Sequence, residues 1–157
     1  MHRRVDGLPL KLASPIRPRP NFAIDTSLFE SRMGANKLLI AVVDDDAAIR
    51  KAFRRLLSSA DMNVSTFECG QAFLDSLANQ SPDCLILDLH MPGISGFELL
   101  QGLSRIDVAV PTIVITAYDE RAMECLAAGA QVYLRKPVDD HVLLSAIESA
   151  IRTHTVR

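Results

Sequence analysis

From Lys37 onward the chain repeats one pattern five times: a short apolar run, then a longer segment with apolar residues at helical spacing. Residues 38–43 are apolar throughout, as expected for a strand buried on both faces. Residues 47–60 carry Ile49, Phe53, Leu56 and Leu57 at helical spacing, with Arg50, Lys51, Arg54 and Arg55 opposite. The same alternation predicts further strands over 63–67, 84–87, 112–115 and 132–134. It predicts helices over 70–79, 95–104, 120–128, and from 139–140 to about 153. Pro111 opens the fourth strand, where a missing N–H is tolerated, and Gly129 ends the fourth helix. Asp139 and Asp140 open the last helix, where carboxylates suit the positive end of the dipole.

Five strands alternating with five helices in so short a stretch argue for an α/β fold. The expected architecture is a doubly wound, flavodoxin-like parallel sheet of five strands in order 2-1-3-4-5, with helices on both faces. Ligands in such sheets sit beyond the carboxyl ends of the strands, at the switch point between strands 1 and 3. With 157 residues, one core of this kind uses most of the chain.

Residues 1–36 differ from the rest. Pro9, Pro15, Pro18 and Pro20 crowd a stretch with six Lys/Arg, three acids and no apolar period. Such a segment buries too little to offset the entropy of ordering it, so a disordered basic tail is expected. Translation starting at Met33 and a basic arm for an acidic partner are the alternatives. The tail is net +3 and the remainder net −5, within an overall −2. That near-neutral balance points to no nucleic-acid or membrane partner. Cys69, Cys84 and Cys125 have no metal-ligand spacing and fit a reducing cytoplasm, with Cys84 read as a buried thiol. No apolar run is long enough to span a bilayer, and Lys11, Arg17 and Arg19 interrupt any secretory h-region.

The polar residues that stand out follow the apolar runs. Asp44, Asp45 and Asp46 follow strand 1, Asp88 ends strand 3, Thr116 ends strand 4 and Lys136 ends strand 5. Any one alone reads as a loop residue or a helix cap, as Asp46 does for the helix after it. Four strands delivering polar groups to one rim read as a site. Close carboxylates repel, by on the order of 4 kcal/mol for unit charges about 4 Å apart at an effective dielectric near 20. The cluster therefore calls for a cation, and oxygen ligands beside a phosphate suit Mg²⁺. A carboxylate nucleophile, a metal ion, a lysine and a hydroxyl together make a phosphoryl-transfer site.

Four segments carry a resemblance: Val42-Val43-Asp44-Asp45-Asp46, Leu87-Asp88-Leu89-His90-Met91-Pro92-Gly93-Ile94-Ser95-Gly96, Ile115-Thr116-Ala117 and Leu134-Arg135-Lys136-Pro137. In this order, and at nearly these separations, the set resembles the signature of response-regulator receiver domains from two-component signal transduction. The Met-Pro-Gly run is similar to that of receivers that regulate transcription. The resemblance covers residues 37 to about 153. It implies that Asp88 is the phosphoacceptor. Asp45, Asp88 and the His90 backbone carbonyl would hold Mg²⁺, with Asp44 acting directly or through water. Lys136 would pair with the phosphoryl group, Thr116 would hydrogen-bond it and move on activation, and small Ala117 leaves its path open. Tyr133 stands at the aromatic switch position, and Lys136–Pro137 would be cis. Twenty residues separate Thr116 from Lys136, about two fewer than the resemblance leads one to expect, which bears on the signalling face of helix 4, strand 5 and helix 5.

The function implied is a phosphorylation-activated switch, fed by a sensor histidine kinase or a histidine phosphotransfer protein. It would catalyse only its own phosphorylation and dephosphorylation. Its output would pass to an unidentified downstream protein or through a phosphorylation-dependent homodimer. No helix-turn-helix pattern follows Arg152, so neither an output domain nor direct DNA binding is expected, and the expected location is the cytoplasm. A Mg²⁺-dependent aspartyl phosphatase is the enzymatic alternative, but it wants a second carboxylate two residues past the nucleophile, where this chain has His90. A receiver that works without phosphorylation is the third reading, and the complete site set argues against it. The resemblance also puts His90 and Tyr118 beside the path of water attacking the acyl phosphate. Their bulk would slow hydrolysis; alternatively both rings point to solvent, or His90 orients the water as a base. His2, His141 and His154 read as surface residues, and Met33, Met62, Met91 and Met123 as tail, core or loop packing.

Overall fold

A computed structural model describes residues 36–117 and 121–155. The expected tail, apart from Asn36, lies outside the described residues, as do Tyr118 and Glu120. Five strands form one parallel sheet: β1 (Leu39–Val43), β2 (Asn63–Phe67), β3 (Cys84–Asp88), β4 (Thr112–Thr116) and β5 (Val132–Arg135), in spatial order β2-β1-β3-β4-β5. The register pairs Val43 with both Phe67 and Leu87, Leu87 with Val114, and Val114 with Tyr133. All five strands therefore point their carboxyl ends to one rim. The helices are α1 (Ala47–Ser59), α2 (Gly70–Ser76), α3 (Gly96–Arg105), α4 (Ala122–Ala127) and α5 (Asp140–Thr155).

The strands alternate between two cores. Ile40, Val42, Ile86, Ile113 and Ile115 face Leu57 of α1 and Leu143, Ile147 and Ile151 of α5. Ala41, Val43, Leu85, Leu87 and Val114 face Phe73 of α2, Leu99, Leu100 and Leu103 of α3, and Cys125 of α4. The two-residue period of a strand makes this division, and continuous apolar runs supply both faces. Each fully buried Leu, Ile or Phe contributes about 1.5–3 kcal/mol against leaving it in water. Among the described residues no helix is long and apolar enough to cross a membrane.

Element ends differ from expectation by a few residues. α2 stops at Ser76 because Leu77 and Asn79 bond back only three residues, to the Leu74 and Ser76 carbonyls at 3.2 and 3.0 Å. Ser95 lies outside α3 as its N-cap, in a reciprocal capping box with Glu98. α4 has six residues and is the shortest described helix, and Gly129 follows it at φ +116°. Met62 and Met91 are buried as expected, but Met123 on α4 is 77% exposed and packs no core.

Candidate functional site

The rim is assembled by backbone bonds that continue the sheet. The Asp44 N–H donates to the Phe67 carbonyl at 3.1 Å, and the Lys136 N–H to the Thr116 carbonyl at 2.8 Å. Asp44, Asp88 and Thr116 are buried, Lys136 is half-buried, and Asp45 is exposed. The Lys136–Pro137 peptide bond is cis. The Lys136 ammonium reaches Asp44 Oδ2 at 3.0 Å and Asp88 Oδ1 at 3.5 Å. One oxygen each from Asp44, Asp45 and Asp88 lies within 4.8 Å of the others. The carboxylates expected to act together are thus together, and among the described residues Lys136 is the ammonium that pairs with them.

The titrations follow from this crowding. Burial, then the charge of Asp44, pushes the Asp88 carboxyl above the usual carboxylate value; Lys136 and the His90 backbone N–H oppose them without cancelling them. For Lys136, burial works against the charge. The hydrogen bond to Asp44 and the charges of Asp88 and Asp44 outweigh it and hold the ammonium above its ordinary value.

The donor set suits a small divalent cation. Each Asp44 oxygen already has a donor: Oδ1 accepts from the Asp46 N–H at 2.9 Å and Oδ2 from Lys136. Asp45 is exposed, yet one of its carboxylate oxygens lies in the cluster with the buried Asp88. Oxygen ligands with an opening to water fit Mg²⁺, which keeps several of its waters.

Two features at Gly96 bring α3 against Asp88, and the second requires glycine. The Gly96 N–H donates to the Leu89 carbonyl at 3.0 Å. A Cβ at Gly96 would run into the Asp88 carbonyl oxygen and lie 2.7 Å from Leu89 Cα. Backbone cannot yield there, so the helix start can approach Asp88 only with glycine.

The remaining expected residues are more scattered. Ala117 and His90 are exposed, and Tyr133 is half-buried against the core that covers α3. Tyr118 lies outside the described residues. His141 is exposed and His154 half-buried. Asp46 caps α1, accepting from the Ala48 and Ile49 N–H groups at 2.8 and 3.4 Å. Helical spacing alone places Arg50 on the polar stripe opposite the apolar face of α1. In the fold it is half-buried, and its Nη1 donates to the Asp44 carbonyl at 2.7 Å. One turn separates it from the capping Asp46, and that spacing is the signal that points it back to the rim.

Residues 40–148 match the profile of the response regulator receiver domain family. The chain is 41% identical over 115 residues to the transcriptional regulatory protein FixJ of Bradyrhizobium diazoefficiens, covering 72% of this chain and 56% of that protein. It is 36% identical over 115 residues to the DNA-binding transcriptional regulator NtrC of Escherichia coli K12, covering 72% of this chain and 24% of the relative. The chain thus spans from about a quarter to about half the length of these curated relatives. The crystal structure of FixJ-N superposes with a TM-score of 0.70 at 33% identity, over 74% of this chain and 95% of the other.

Proposed function

Because the chain belongs to the response regulator receiver domain family, we propose that it is a two-component switch phosphorylated on Asp88 from a histidine kinase or a histidine phosphotransfer protein. The single observation that carries this reading is the buried Asp88 carboxylate 3.5 Å from Lys136, in a three-carboxylate cluster at the strand ends. Asp45, Asp88 and the His90 carbonyl would hold Mg²⁺, with Asp44 joining through water because both its oxygens are engaged. Bound there, the ion supplies neutralising charge for phosphoryl oxygens.

An Asp88 oxygen attacks the phosphorus of the donor. The bond from phosphorus to the donor nitrogen breaks, an acyl phosphate forms, and the released imidazole keeps the electron pair and takes up a proton from water. Lys136 pairs with the transferred oxygens and Thr116 donates its hydroxyl to them, with Ala117 leaving the approach open. Tyr133 and α4 carry the change to a downstream protein or a second copy of the chain, without direct DNA contact by this domain. Residues 37–157 suffice for the chemistry. Hydrolysis of the acyl phosphate is slowed by the bulk of His90 and Tyr118, and faster decay in His90→Ala with Tyr118→Ala is the outcome expected. Equal or slower decay removes the steric account, and slower decay in His90→Ala alone favours a base.

The test of the reading is mass spectrometry after incubation with acetyl phosphate and Mg²⁺. Wild type gains one phosphoryl group, Asp88→Asn gains none, and deletion of residues 1–36 changes neither result. Undiminished labelling of Asp88→Asn overturns the assignment.

A further inference from the structure

We infer that Arg50 is a positioning residue that aims Asp45 at the metal. The inference rests on the proposed Mg²⁺ site. Asp45 is exposed, and its carboxylate must hold its direction without burial around it. The direction in which its side chain leaves the backbone is set by the two peptide planes on either side of its Cα. The plane before it contains the Asp44 carbonyl, to which Arg50 Nη1 donates at 2.7 Å. The plane after it contains the Asp46 N–H, which donates to Asp44 Oδ1 at 2.9 Å. The second bond comes from within the turn. The first comes from α1, whose own start is fixed by the Asp46 cap and by the Arg50 N–H bond to the Asp46 carbonyl at 3.0 Å. The guanidinium of this half-buried arginine thus anchors the turn to the helix.

Position and charge have opposite signs here, which makes the role separable. Removing a cation beside three carboxylates strengthens the pull on a divalent cation, if charge alone matters. Freeing the 44–45 peptide plane weakens metal binding, because a ligand that must be ordered at the moment of binding costs affinity.

The experiment is Mg²⁺ titration of the full chain, unphosphorylated, followed by fluorescence or calorimetry. Arg50→Met keeps the stem and the helix propensity and loses the donor; Arg50→Lys keeps charge and a donor. Arg50→Met is expected to bind Mg²⁺ about tenfold more weakly, Arg50→Lys to recover most of that loss, and both to melt within a few degrees of wild type. In an Asp45→Ala background, Arg50→Met is expected to add no further weakening. Unchanged or tighter Mg²⁺ binding in Arg50→Met, or a full additional loss on top of Asp45→Ala, overturns the inference. Should Arg50→Met melt far below wild type, Arg50→Lys in the same two backgrounds decides by the same cycle. Failure of the underlying metal site has its own signature, an Asp45→Ala variant that binds Mg²⁺ as wild type does.

Discussion

β1 with α1 and β4 with α4 lie on either side of the strand that ends at Asp88, and the two helices are attached in contrasting ways. On the β1 side, α1 runs thirteen residues and Asp46 caps it through its side chain. Asp44 is held through its amide, its carbonyl and both carboxylate oxygens. On the β4 side, α4 runs six residues and its N-cap, Arg121, makes no side-chain cap bond. Arg121 instead pairs with Glu124 at 2.8 Å and lies 3.9 Å over the Phe97 ring of α3, both surface contacts of modest worth. Cys125 is the buried residue of α4, while Met123 and Leu126 are 77% and 41% exposed. Phosphoryl transfer needs fixed ligands, and a signal needs an element whose attachment is cheap to change. On the proposed function, the asymmetry would give each side one of these tasks.

The largest expected effect contrasts the two helices in stability. Leu57→Ala in α1 should cost about 3 kcal/mol in urea unfolding, since Leu57 is fully buried. Met123→Ala in α4 should stay within about 0.5 kcal/mol of wild type. Comparable losses in the two variants would mean that α4 is as firmly built as α1. Gly96→Ala belongs with the fixed side. Its methyl meets Asp88 backbone, so a loss of about 2 kcal/mol and impaired phosphorylation are expected, and a neutral outcome would show that the β3–α3 loop can shift.

A smaller effect concerns pH. At the proposed site a metal ion and a proton would compete for the carboxylate. Burial and the charge of Asp44 raise Asp88, so its protonated fraction grows at a higher pH on acidification than for a free aspartate. Mg²⁺ affinity should accordingly start to fall above the pH at which an ordinary aspartate titrates. Affinity that stays flat until that lower pH would contradict the raised carboxyl.

The subtlest effect is in the thiols. All three cysteines are free, Cys69 is half-buried, and Cys84 and Cys125 are buried. Burial pushes the Cys84 thiol up to about 12. Pulse labelling of the native protein should modify Cys69 first, Cys125 next as α4 opens locally, and Cys84 last. Equal rates for Cys125 and Cys84 would remove the difference between the two sides.

Much of this was legible in the sequence because burial on both faces of a parallel sheet writes strands as unbroken apolar runs. The residue after the run then falls on the rim for Asp44, Asp88 and Thr116, and Lys136 lies one place further on, past Arg135. Helix ends were less legible, since α2 gives way to a tighter turn at Leu77 through local bonds that periodicity does not encode. Arg50 was missed because helical spacing assigns it to the polar stripe. Only the backward reach of a long side chain over one turn brings it to the Asp44 carbonyl. Exposure of Met123 was missed for a related reason: an apolar residue on a six-residue helix has little core to reach.

The most direct measurement is residue-resolved amide hydrogen exchange with Mg²⁺ in every sample, before and after adding beryllofluoride as the phosphoryl mimic. The account predicts that exchange changes most from Thr116 through α4 and β5, while α1 and β2 keep their rates. Changes concentrated in α1 and β2, with α4 unaffected, would contradict it.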